Sequence, residues 1–148
     1  MKPLKLTMRA FGPYKDEEII DFAKLENHRL FVISGKTGAG KTTIFDGIAF
    51  ALYGSGSGSD RKDQKSLRSQ FADDHVHTAV ELLFEVHGKT YRVFRQLPHV
   101  KKGRKTATGE DYAFFEIGPN GEELKVVERQ KAKEINTKIE EIIGLTYD

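Results

Sequence analysis

A mixed α/β fold is predicted for this chain: one strand-loop-helix unit, an antiparallel β meander after it, and an amphipathic helix at the end. Three observations carry the prediction. Gly35 to Thr43 reads Gly-Lys-Thr-Gly-Ala-Gly-Lys-Thr-Thr, between the apolar residues 30–33 (Leu-Phe-Val-Ile) and a helix-like stretch over 44–53. Residues 79–117 hold three runs rich in aromatic and β-branched side chains. Near the end, Ile135, Ile139, Ile142 and Ile143 share one helical face, with charges on the other.

Taken in order, Leu4, Leu6 and Met8 alternate with Lys5, Thr7 and Arg9, which predicts a half-buried strand running into a turn at Phe11-Gly12-Pro13-Tyr14. Residues 18–22 predict a second strand, and residues 30–33 a short buried one. Residues 42–53 predict the helix behind the glycine-rich loop, with Phe45, Ile48, Ala49 and Leu52 at helical spacing. The Gly-Ser alternation of residues 54–59 reads as a flexible linker or as a mobile surface loop. Residues 79–86, 90–96 and 112–117 predict the meander, with a turn at Gly88. Residues 128–143 predict the closing helix, ending at Gly144 and packed as a flank on the sheet.

At 148 residues, one domain over 1–148 is the natural count. The 38% hydrophobic and 31% charged shares are those of a soluble globular protein, and no apolar run approaches bilayer-spanning length. The N-terminal Met-Lys-Pro-Leu-Lys lacks the apolar core of a signal peptide and reads as a cytosolic start. Zero cysteines agree, and exclude thiol catalysis and cysteine-zinc sites within this chain. A net charge of +2 is too small to indicate a nucleic-acid partner, so any such reading rests on clustering.

Gly35 to Thr43 is a complete GxxxxGK[ST] phosphate-binding loop. Its glycines let successive backbone N–H groups curl around phosphate oxygens, and the following helix presents its positive end to them. The predicted nucleotide contacts are Gly35, Lys36, Thr37, Gly38, Ala39, Gly40, Lys41, Thr42 and Thr43. Lys41 reaches the β- and γ-phosphates, the Thr42 hydroxyl serves Mg²⁺, and Thr43 meets the α-phosphate; ATP and Mg²⁺ are the implied cofactors. A working site also needs an acid at a strand end for the metal and a group that positions water. Neither is evident: Asp21 precedes the loop, and Glu85 reads as a solvent-facing meander residue.

The segments Lys2-Pro3-Leu4-Lys5-Leu6, Arg9-Ala10-Phe11-Gly12-Pro13-Tyr14, Ile20-Asp21-Phe22, Gly35 to Thr43, Phe50-Ala51-Leu52-Tyr53-Gly54 and Leu67-Arg68-Ser69 resemble the N-terminal lobe of the SbcC family. Its members are the ATPase subunits of SbcCD nucleases and relatives of the SMC proteins among ABC ATPases. The resemblance implies a split ATPase head, in which a coiled coil separates this lobe from a C-terminal lobe carrying the acidic and signature motifs. It implies as partners that C-terminal lobe, a second head in a homodimer, an SbcD-type nuclease subunit and DNA, with no membrane and a cytoplasmic, nucleoid-associated location. It implies an ATP-driven DNA double-strand exonuclease and endonuclease complex in repair and recombination, with this lobe alone nearly inactive; a lobe interface left without its apolar cover would favour self-association. It also places Arg9 near the phosphates.

Lys101, Lys102, Arg104 and Lys105 fall in the connection before the third meander strand and are candidate contacts to DNA phosphates; a solvated charge run is the alternative. Arg92 and Arg95 extend that patch only if they share its face, and their odd spacing puts them on opposite faces of a strand. The histidines lack ligand spacing for zinc. Three rivals remain at this level: a self-contained kinase of small molecules, a structural DNA module that binds nucleotide, and a transporter ATPase.

Overall fold

The computed structural model describes residues 1–25, 38–54 and 67–144. The predicted strand at 30–33, the loop residues Gly35, Lys36 and Thr37, and the Gly-Ser residues 55–59 lie outside them. In chain order the elements are β1 (Lys2–Phe11), β2 (Tyr14–Asp21), α1 (Phe22–Leu25), α2 (Gly38–Tyr53), β3 (Ala79–Val86), β4 (Lys89–Gln96), β5 (Asp111–Ile117), β6 (Glu123–Lys125) and α3 (Ala132–Ile143). Among the described residues the strands form one six-stranded sheet in the order β2-β1-β3-β4-β5-β6, antiparallel throughout.

The predicted meander is present as β3-β4-β5, turning at His87 (φ 51°) and Gly88 (φ 78°), the paired left-handed residues of a two-residue hairpin. The hairpin of β1 and β2 joins the same sheet through β1 beside β3. The edges of the sheet differ from the sequence reading. β2 begins at Tyr14, because Tyr14, Glu17 and Glu18 pair with β1 across a bulge, as an edge without an apolar alternation. Phe22 opens α1, whose first turn is capped by Asp21: its Oδ1 accepts the N–H of Ala23 at 3.1 Å. β6 was not predicted, being three exposed residues.

The pleat sorts the sheet into two faces. Leu6, Leu82, Val93 and Phe114 line up across β1, β3, β4 and β5 on the inner face, and Met8, Val80, Arg95 and Tyr112 form the next row. Phe84, Tyr91 and Phe114 stack with centroids 5.5 to 6.3 Å apart. Helix α2 lies on this face with almost no side-chain gap: a Cβ added to Gly47 would sit 2.8 Å from Met8 Sδ and 3.2 Å from Leu6 Cδ2.

Helix α3 covers the sheet with Ile135 and Ile139, both fully buried, as its isoleucine stripe predicts. Gly144 ends it in the left-handed conformation (φ 76°) and returns its N–H to Glu140 O at 2.7 Å. The helix starts at Ala132 and not at 128, because the residues before it hold other positions. Gln130 Oε1 accepts the N–H of Phe114 at 2.6 Å, where β6 has ended and the strand lacks a ladder partner. The Glu134 carboxylate reaches back to the N–H of Arg129 at 3.0 Å.

Candidate functional site

Gly38, Ala39, Gly40, Lys41 and Thr42 are the first residues of α2, so the helix begins four residues before the predicted start at Thr42. The first four N–H groups of a helix have no intrahelical partner, and here they belong to Gly38 through Lys41. No acidic side chain occupies that first turn. The positive end of α2 is therefore not neutralised from within the helix, and its donors fit an anion such as a phosphate chain.

The turn between β1 and β2 seats this helix. Gly12 (φ 58°) comes so close to α2 that a Cβ there would lie 2.9 Å from Thr43 Cγ2, and the Thr43 side chain is buried. Phe11 meets Phe50 with centroids 6.2 Å apart. The turn is held in place by a bulge at Ala10 (φ 51°), whose carbonyl accepts both the Ser69 N–H and the Thr78 hydroxyl at 2.9 Å. Leu67 O accepts the Gly12 N–H at 2.8 Å. Two segments that carry the family resemblance, Ala-Phe-Gly-Pro-Tyr and Leu-Arg-Ser, thus bond to each other beside the start of α2.

Arg9 lies on the other face. It stands in register with Ala79 and Gln96, one residue off the Met8 row that packs on α2. Its guanidinium donates to His77 O at 3.2 Å and Gln96 Oε1 at 2.8 Å. Asp21 and Glu85, the two carboxylates weighed for a metal role, are respectively the α1 cap and a residue on the outer face of β3.

Neither Arg92 nor Arg95 extends the basic patch. Arg92 is on the outer face, over the Phe115 ring and paired with Glu81 (3.2 Å) and Glu123. Arg95 is 1% exposed and points into the core. Its Nε donates to Ala51 O at 2.8 Å, and its Nη2 to Leu52 O at 3.2 Å and Asn136 Oδ1 at 2.7 Å. Burial pulls this guanidinium down to about 10, which leaves it charged at neutral pH. Sequence reasoning missed this residue, although Tyr91, Val93 and Arg95 alternate on one face and so marked an inward-pointing cation.

The basic connection between β4 and β5 is anchored at its base. His99 and Thr108 exchange backbone hydrogen bonds at 3.0 Å, and His77 Nε2 donates to Thr108 O at the same distance. Asp74 accepts from His99 Nε2 at 3.0 Å and from the Lys102 N–H at 2.9 Å; these bonds, the histidine's foremost, hold its carboxyl below the usual range. Beyond the anchor, Lys101, Arg104, Lys105, Thr106 and Thr108 line an open recess of about 300 Å³. Lys101, Arg104 and Lys105 thus come together, while Lys102 is tied by its backbone to Asp74.

A family model described as AAA domain matches residues 5–147. The chain belongs to the AAA domain family. Within it, the chain is 44% identical over 117 residues to the SbcC subunit of nuclease SbcCD from Staphylococcus aureus strain MRSA252, and equally to the protein of that name from strain JH9. The aligned part is 79% of this chain and 11% of each relative. The SbcC resemblance read from the motifs agrees with these matches. No described helix of this AAA domain is long and apolar enough to cross a membrane.

Proposed function

We propose that this AAA domain is the ATP-binding N-terminal lobe of an SbcC-type ATPase. The observation that carries the proposal is the placement of Gly38 to Thr42, the second half of the phosphate-loop sequence, as the acid-free first turn of α2, with Thr43 seated against Gly12. In this reading the backbones of Gly35 to Thr43 and the Lys41 ammonium hold the phosphates, with Lys36 adding charge at the loop. Thr42 is the residue that would hold Mg²⁺. Bound metal would draw charge from the phosphate oxygens. Arg9, bonded on the opposite face of the sheet, is assigned the bracing of residues 77 and 96 beside the turn.

The relatives' name is that of a nuclease subunit, and a head of this kind would work with its own C-terminal lobe, a second head, an SbcD-type nuclease and DNA. Lys101, Arg104 and Lys105 would meet DNA phosphates without reading sequence. The Mg²⁺-side acid and water-positioning group would come from the C-terminal lobe, so this chain alone would bind ATP and turn it over little or not at all. The test is ATP hydrolysis by this chain alone, by the C-terminal lobe of the same protein alone, and by the mixture. Turnover in the mixture only supports the split head. Turnover by this chain alone sinks it and favours a self-contained kinase-like enzyme.

A further inference from the structure

We propose that Arg95 is a positioning residue that couples the phosphate end of α2 to α3; the inference rests on the nucleotide reading above and adds the route by which occupancy would be felt elsewhere. The C-terminal end of α2 leaves carbonyls without intrahelical donors. Gly54 (φ 79°) returns its N–H to Phe50 O at 2.8 Å, and Arg95 takes the next two carbonyls, Ala51 O and Leu52 O. The same Nη2 that serves Leu52 also donates to Asn136 in the second turn of α3. One guanidinium thus fixes the end of one helix and a side chain of the other.

A buried cation is a costly way to fill a core, and an apolar side chain of similar volume is often as stable. The three acceptors explain the residue type. A lysine is a point charge and lacks the planar fork that reaches two carbonyls and an amide at once. At Gly54, left-handed at φ 79°, a Cβ would lie 3.4 Å from Nη1 and 3.9 Å from Asn136 Oδ1, so the end of α2 is in ordinary van der Waals contact with the same guanidinium and amide.

The opposite end of α2 carries the phosphate-loop residues. Sixteen residues span about 24 Å, well beyond the roughly 8 Å over which charges act freely in physiological salt. Direct attraction between a phosphate and Arg95 is therefore weak at this separation. The helix instead transmits as a rod: tightly packed on Met8 and Leu6 at Gly47, it shifts or settles as one body when its N-terminal donors engage an anion, and Arg95 carries the change to Asn136.

The experiment is amide hydrogen exchange of this 148-residue chain with and without Mg²⁺ and ATP, comparing the parent with Asn136→Ala, Arg95→Lys and Arg95→Met. In the parent, ATP slows exchange in α2 and, by about fivefold or more, in α3. Asn136→Ala keeps the α2 response and loses most of the α3 response, and Arg95→Lys, which keeps the charge without the fork, loses it too. Alanine at 136 suits a helix, so this variant remains informative if Arg95→Met fails to fold. An Asn136→Ala chain with the parent's α3 protection overturns the inference, as does a parent that responds in α2 only. A parent silent in both helices overturns the nucleotide reading and the inference with it.

Discussion

Gly12 and Thr43 touch: a Cβ on the glycine would lie 2.9 Å from the threonine's methyl, and the glycine backbone is left-handed at φ 58°. The contact locks the β1–β2 turn to α2 one residue after Thr42. Gly12→Ala is expected to cost about 1 kcal/mol or more from the backbone alone, a fall in Tm of roughly 3 °C or more for a chain of this size. Thermal unfolding checks this. A Tm equal to the parent's would contradict the close approach.

Gly47 sits against Met8 and Leu6 in the same way, but inside a helix, where two effects oppose. Alanine gains about 1 kcal/mol of helix propensity over glycine. Forcing a methyl into a closed contact costs about 1–3 kcal/mol. Met8 is fully buried, so overpacking is expected to win and Gly47→Ala to destabilise. In a Met8→Ala background the same change becomes neutral or stabilising. Urea unfolding of the four proteins reads the coupling, and simple additivity would show that the contact is slack.

Asp74 holds the base of the basic loop. Its folded pKa is depressed, so the anchor is fully present above the ordinary carboxylate pKa and is lost as pH falls through the lower folded value. On acidification the Lys102 amide resonance is expected to hold through the ordinary carboxylate range and to move only below it. Asp74→Asn releases it at neutral pH. Movement well above the carboxylate range in the parent would contradict the assignment.

For DNA, the slope of log K against log salt shrinks by about 0.9 for every phosphate that is no longer neutralised. Replacing Lys101, Arg104 and Lys105 together by alanine is expected to weaken binding equally across sequences and to flatten the slope. An unchanged slope would identify the loop as a solvated surface.

The parts legible in the sequence were those whose side chains carry a period. β3, β4 and β5 fall within a residue of their predicted limits, because apolar and polar residues alternate along β3 and β4 and aromatics cluster in β5. The edges were not legible: Tyr14, Glu17, Glu18 and the three residues of β6 pair through their backbones and carry no apolar pattern. The start of α2 lies four residues before its predicted place because glycines at 38 and 40 read as loop by propensity, and position within the fold overrides that preference. At the site, the motif pointed to Lys41 and Thr42 but not to their support. The closeness of Gly12 to Thr43 joins residues 31 positions apart, and the role of Arg95 depends on two helices and a strand meeting.

The most direct measurement is ATP binding by this chain in the presence of Mg²⁺, parent beside Lys41→Ala, by calorimetry or with a fluorescent analogue. Saturable binding by the parent is predicted, with affinity about tenfold or more weaker in the variant, since a charge-assisted phosphate contact is removed. Equal affinity of the two proteins, or no binding by a well-folded parent, would contradict a phosphate site at the start of α2.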